Sequence, residues 1–120
     1  VIDHVGFEVS DLDRSGRFYD AVFYALGARR MFESPGAIAY GVNGPDVWIV
    51  IRGRDPAPGY GHLALAASGK VAVDAAYRGG IDNGGEDDGP PGLRPNYGRR
   101  YYAAYLRDPD GLRVEVVSRR

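Results

Sequence analysis

The chain has no cysteine, which excludes disulfides and thiolate metal sites. It has no excess of either charge: 15 Lys and Arg against 16 Asp and Glu leave a net −1 with a pI near 6.1. A nucleic-acid footprint is therefore not supported. Long apolar runs are missing. The longest in the strand regions is Val47–Ile51, well short of the roughly 20 residues a membrane span needs. The sequence runs directly into a strand pattern, without a basic-then-apolar signal segment. The expectation is a soluble cytoplasmic protein with neither a nucleic-acid nor a membrane partner. Histidine is scarce, with two residues in 120. That length suits one domain, residues 1–120, able to bury a core without staples. Glycine (18) and proline (8) are plentiful, yet 12% aromatic residues argue against disorder.

Periodicity gives the elements. Val5, Phe7 and Val9 alternate with His4, Gly6 and Glu8 as in a half-buried strand. Ser10 is placed to cap a helix, with Asp11 and Asp13 in its first turn. Leu12, Tyr19, Val22, Phe23 and Leu26 follow at helical spacing, and Gly27 closes the segment. Strands are expected over residues 28–33, 38–42 and 46–52, with turns at Ser34-Pro35-Gly36 and Asn43-Gly44-Pro45. The connector GRDPAPGYG, residues 53–61, is rich in Pro and Gly. After it, Leu63, Leu65 and Ala67 alternate with His62, Ala64 and Ala66; Ser68 is a plausible cap for a weaker helix from about Lys70 to Tyr77 or Ile81.

The second half repeats the first. His4 and His62 are 58 positions apart, as are Ser10 and Ser68, Tyr19 and Tyr77, and Gly27 and Gly85. The fold class is α+β: two tandem βαβββ modules, about 1–53 and 61–120. Each packs its helix on one face of a mixed sheet, and the remaining faces are expected to enclose a groove. Residues 84–100 break the repeat. Lacking periodicity, they read as a long loop, a lid or binding segment, with Glu86-Asp87-Asp88 solvated. The pairs Arg99-Arg100 and Arg119-Arg120 likewise read as solvated.

The last stretch, YYAAYLRDPDGLRVEVV, is two strands closed by a turn. Asp108-Pro109-Asp110-Gly111 has type I chemistry. Leu112, Val114 and Val116 form the packing face, which leaves Glu115 on the other side. His4, His62 and Glu115 thus fall on the faces the helices do not cover. Two imidazoles and one carboxylate are the ligand set of a facial metal site with open positions, suited to Fe(II) and in looser forms to Mn, Co, Ni or Zn. Such an ion lets a chelated substrate's oxygens feel a Lewis acid. A lone strand histidine is ordinarily a surface residue; two at the same repeat position, the only ones in the chain, are a stronger signal. Glu8 shares the face of His4 but falls toward the groove rim.

On DHVGFEVSDLDRSGRFYDAVFYALG, GHLALAA and YLRDPDGLRVEVV, the whole chain resembles the glyoxalase/bleomycin resistance/dioxygenase superfamily, the vicinal oxygen chelate proteins. The resemblance implies paired modules around a divalent metal held by His4, His62 and Glu115. It also implies a homodimer, in many members with sites shared between chains; whether His4 and Glu115 of one site come from one chain or two is left open.

Glyoxalase I-like lyases draw a fourth ligand from the last strand of the first module. Here Val47, Ile49 and Ile51 are expected to pack on the helix, and Trp48 and Val50, facing the groove, cannot ligate. The three-ligand set is more like extradiol dioxygenases or fosfomycin-modifying transferases. The dioxygenases carry a tyrosine ten residues before the glutamate, where this chain has Tyr105, and an upstream histidine, where it has Tyr97 and Gly98. Tyr101, Ala103 and Tyr105 share one strand face. If that face is the groove, Tyr105 is a candidate acid or substrate hydrogen-bond donor beside Glu115.

The first functional expectation is a metal-dependent, dioxygenase-like or lyase-like enzyme acting on a small, oxygen-rich substrate. The alternative is a metal-free sequestering protein of the bleomycin-resistance type. In it Trp48, Tyr97 and Tyr101 would stack a planar ligand, and arginines, Arg94 among them, would clamp its acidic groups. A degenerate scaffold with a vestigial triad is the third possibility.

Overall fold

The computed structural model describes residues 1–57 and 59–120. Pro58, inside the predicted connector, lies outside them. Ten elements follow in chain order: β1 (Val5–Glu8), α1 (Leu12–Ala25), β2 (Arg29–Ser34), β3 (Ala37–Gly41), β4 (Val47–Val50), β5 (His62–Ala66), α2 (Lys70–Asp82), β6 (Glu86–Leu93), β7 (Tyr102–Arg107) and β8 (Arg113–Ser118). They form two four-stranded mixed sheets of order β1-β4-β3-β2 and β5-β8-β7-β6. In each, the first strand runs parallel to the last strand of its module, and the other pairs are antiparallel. This is the tandem βαβββ arrangement, and the duplicated topology explains the 58-residue offset.

The apolar face of α1 builds the centre of the core. Phe18, Tyr19, Val22 and Phe23 lie against Ile38, Tyr40 and Ile49, all buried. Phe23 stacks on Tyr40 with ring centroids 4.7 Å apart. Burying each such side chain contributes about 1.5–3 kcal/mol. On the second sheet Leu65, Ala104, Leu106, Val114 and Val116 join the same core. Trp48 and Val50 are half-buried on the opposite face of β4, as the alternation requires. Ile51 departs from expectation. It lies past the end of β4 and is 38% exposed, because the chain leaves the sheet before its side chain reaches α1.

The modules are joined through α1 and α2. Gly80 of α2 sits at the closest approach: a Cβ there would meet Leu106 Cδ1 at 2.9 Å, Phe18 Cε1 at 3.1 Å and Val22 Cγ2 at 3.2 Å. The absence of a side chain lets the helices and the second sheet close on one another. The 108–111 turn makes the other junction. Gly111, at φ 94°, closes it by donating its N–H to the Asp108 carbonyl at 2.9 Å. Asp108, 4% exposed, accepts from Tyr19 Oη at 2.6 Å and from the backbone N–H groups of Asp110 and Leu112, each at 2.9 Å. Asp110 accepts from Ser10 N at 3.0 Å, Ser10 Oγ at 2.6 Å and Arg14 Nη2 at 3.0 Å. A carboxylate beside the first turn of α1 is also favoured by the helix dipole. The turn thus fastens the second module to the first module's helix.

Both predicted caps are corrected. Asp11 caps α1 by accepting from Arg14 N at 2.9 Å, because Ser10 is engaged by Asp110. Gly69 precedes α2 and gives no side-chain cap. The loop expected over 84–100 is also corrected, since residues 86–93 form β6. It is an edge strand, where Pro90 and Pro91 need donate no ladder bond, and its pairing with β7 shifts register twice, around Gly89. Those prolines and glycines hide the period-two pattern. What remains of the loop is a compact turn rather than a lid, with Tyr97 N bonded to Arg94 O at 3.0 Å and Arg94 N to Tyr101 O at 2.7 Å. The acidic run is not merely solvated: Asp87 accepts from Tyr77 Oη, and Asp88 from Arg107 and Arg113.

Candidate metal and substrate site

The uncovered face of the second sheet carries the densest chemistry. His62 opens β5 and Glu115 lies mid-strand in the neighbouring parallel β8. His62 Nε2 and Glu115 Oε1 are 3.1 Å apart. Glu115 is 2% exposed, so its buried carboxyl oxygens depend on their partners. The second partner is the Tyr101 hydroxyl, which donates to Glu115 Oε2. That bond, then burial, pushes the Tyr101 phenol up to about 12, so it keeps its proton at neutral pH. Tyr105 faces Glu115 directly across β7–β8 and is 7% exposed. Burial first, then the Glu115 charge, raises its phenol as well. The small residues Ala64, Gly89 and Ala103 neighbour this group in register.

Arginines ring the same face. Arg113 lies over the Tyr105 ring at 4.1 Å, Arg94 over it at 5.5 Å and Arg119 over Tyr101 at 4.9 Å. Arg119 is therefore engaged, contrary to the solvated reading of its pair. Tyr97 meets Tyr101 edge to face at 5.5 Å. Neither Arg113 nor Arg119 stood out in the sequence. Strand alternation was the available signal for Arg113, since it lies two residues before Glu115 on the same face.

The first sheet carries a separate cavity of about 650 Å³, lined by His4, Glu8, Trp48, Val50, Arg52 and Leu112 among others. His4 lies just ahead of β1, its Nδ1 2.7 Å from Asp3 Oδ1. Glu8 is not an isolated rim carboxylate: Arg54 grips it through Nε at 2.9 Å and Nη2 at 3.1 Å, which holds it below the usual carboxylate range. Trp48 contacts Phe32 at 5.1 Å between ring centroids and donates Nε1–H to Pro45 O at 3.0 Å. The predicted site residues therefore form two groups. His62, Glu115, Tyr101, Tyr105, Tyr97 and Arg94 gather on the second sheet, while His4 and Trp48 line the cavity on the first.

The donor set tests the fit of a metal. Two ligands about 2.1 Å from one ion at a right angle stand about 3.0 Å apart. The His62–Glu115 spacing of 3.1 Å matches that separation with the correct donor atoms. A facial triad needs a third donor, and among the described residues no group of three His, Asp or Glu side chains converges within one chain. Within one chain, His62 and Glu115 are the two candidate donors brought together.

A family model for the glyoxalase/bleomycin resistance protein/dioxygenase superfamily matches residues 1–116. The chain belongs to that superfamily. Among solved structures, it is similar to a glyoxalase/bleomycin resistance protein from Albidiferax ferrireducens, at 33% identity and TM-score 0.86 over 98% of this chain and 97% of that one. It also shares the fold of the fosfomycin resistance protein FosX from Mesorhizobium loti, at 24% identity and TM-score 0.71 over 98% and 91% of the two chains. A lactoylglutathione lyase from Agrobacterium tumefaciens has the same fold, at 24% identity and TM-score 0.67 over 98% and 92%. A comparison with curated protein sequences finds no match. Among the described residues, no helix is long and apolar enough to cross a membrane. Superfamily membership accounts for the two modules. It also frames the question of the third donor, since each module of this chain presents an open sheet face.

Proposed function

We propose that this superfamily member is a cytoplasmic, metal-dependent homodimeric enzyme acting on a small, oxygen-rich substrate. His62 and Glu115 of one chain and His4 of a second copy hold the ion. The single observation that carries the reading is the pairing of His62 Nε2 with Glu115 Oε1 at 3.1 Å on an open sheet face. Two further observations support the shared site. His4 is 58% exposed in its side chain, and it lines a cavity between the first sheet, the 53–61 connector and the 108–111 turn. A second copy laid with its second sheet over this cavity covers both open faces at once, in the reciprocal manner of a two-fold interface.

The bound divalent ion, of the Fe, Mn, Zn, Ni or Co type, supplies Lewis-acid polarisation of a chelated oxygen. The chain's own groups do the rest. Tyr101 fixes one oxygen of Glu115 by hydrogen bonding and leaves the other toward His62. Tyr105, beside Glu115 with a raised phenol pKa, holds a proton that a substrate oxygen developing negative charge would accept. Trp48 provides an apolar wall from the opposite sheet. The dioxygenase-like and lyase-like readings share these roles.

Elemental analysis of protein purified without chelator tests the proposal. The wild-type chain retains a stoichiometric divalent metal and Glu115→Gln loses it. Equal metal content in the two, or none in either after incubation with each candidate ion, contradicts it.

A further inference from the structure

Beside the Glu115–His62 pair lies a second cavity of about 380 Å³, lined by Arg94, Arg113, Asp88, Asn96, Tyr97 and Tyr105 among others. Its charge is unbalanced. The single carboxylate, Asp88, serves two guanidiniums: Arg113 Nε at 2.9 Å and Arg107 Nε at 3.1 Å. Arg94 has no carboxylate partner among the described residues. Its Nη2 donates to the carbonyls of Pro90 at 2.6 Å and Ala103 at 3.3 Å. Its Nε is buried and has no hydrogen-bond partner. The side chain is half-buried, and a buried N–H left without an acceptor is costly unless a ligand oxygen satisfies it.

We propose that this cavity is an anion subsite and that the substrate carries a carboxylate or phosphoryl group bound there by Arg94 and Arg113. The planar fork of a guanidinium matches both oxyanions, and such charge-assisted bonds are about twice as strong as neutral ones. Tyr105 forms the floor, with Arg113 4.1 Å and Arg94 5.5 Å from its ring centroid. Tyr97 and Leu93 add apolar wall. Position then limits size. Arg113 is two residues before Glu115 on β8 and pairs across the ladder with His62. At about 3.3 Å per residue, the anionic group sits about 7 Å from the oxygens that face the pair. That is the length of a small acid rather than of a long conjugate. The cavity's preference for oxyanions stands on the arginines alone; assigning the anion to the substrate rests on the reading of His62 and Glu115 as the reactive centre.

The test is calorimetric titration of the full chain, in buffer containing EDTA, with inorganic phosphate and with benzoate as probes. At least one of them binds saturably to the wild-type chain. Arg94→Met weakens that binding about tenfold or more, as expected for loss of a charge-assisted contact. Arg17→Gln, a charge loss on α1 at a residue that does not line the cavity, leaves it unchanged. Arg94 also holds the carbonyls of β6, so Arg113→Gln is the second variant, with circular dichroism reporting that each variant is folded. The same loss in Arg113→Gln supports the subsite. Three results overturn it: no binding of either probe to the wild type at tens of millimolar, unchanged binding in both folded variants at Arg94 and Arg113, or an equal loss of binding in Arg17→Gln. A failure of metal retention alone leaves the calorimetry intact, so the two readings fail separately.

Discussion

The bond between Tyr19 and Asp108 is the place to perturb the junction between the modules. The phenol of α1 donates at 2.6 Å to a carboxylate that is 4% exposed and otherwise held by two backbone amides. Tyr19→Phe removes only the donor and leaves the ring packed against Phe18, Phe23 and Tyr40. A hydrogen bond to an ionised group contributes about 1.5–3 kcal/mol, and a neutral one about 0.5–1.5. The cost therefore depends on the state of Asp108. Burial raises its pKa, and the Tyr19 bond is the largest influence lowering it. Without that bond the folded-state pKa climbs further above the unfolded value. A raised carboxyl contributes stability that is fully present below the unfolded pKa and lost as pH rises through the folded one. The variant thus loses more than the wild type as pH rises from the acid range to neutrality. Urea unfolding at fixed chain concentration is expected to show a destabilisation of about 2 kcal/mol at pH 7.5 and about 1 near pH 4. A penalty that is negligible at both, or larger at the acid pH, refutes the reasoning.

Other perturbations have equally definite outcomes. Gly80→Ala drives a methyl into Leu106, Phe18 and Val22, all fully buried. Overpacking costs about 1–3 kcal/mol and the gain in helix propensity offsets about 1, so the net loss is up to about 2 kcal/mol and Tm falls by up to about 10 °C; a Tm that rises contradicts the close approach. The Tyr101 phenol, pushed up to about 12 chiefly by its bond to Glu115, is read as the difference between wild-type and Tyr101→Phe titrations at alkaline pH. In Glu115→Gln that step is expected to return toward the ordinary value near 10, and a step that stays put shows that Glu115 is not its cause. Metal retention at the proposed centre falls as pH falls and the imidazoles protonate; retention that rises with acidity sinks the histidine ligand assignment.

The strand alternation around Val5, Phe7 and Val9, the repeat offset and the 108–111 turn made the modules legible, because each is a local pattern with one physical solution. β6 was not legible. Its prolines, glycines and acidic residues look like a loop, and only pairing with β7 makes it a strand. The caps failed for a similar reason: a long-range partner, Asp110, takes Ser10. Alternation put Glu115 and His62 on the uncovered faces but left the face of Tyr105 open, which its register opposite Glu115 decides. The partnership of Tyr101 with Glu115 was not visible, since it joins residues from the end of a turn and the middle of a strand. Arg94 was read as a clamp, but its buried, unpartnered Nε needed the coordinates.

The central claim is that the metal centre draws His4 from one chain and His62 with Glu115 from another. Mixing His4→Ala protein with His62→Ala protein, after unfolding and refolding them together, measures it most directly. Neither variant alone can build a complete site. A shared site restores metal to one of the two sites in each mixed dimer, about one quarter of the wild-type content at random pairing. A site contained within one chain restores none, and that result would contradict the account.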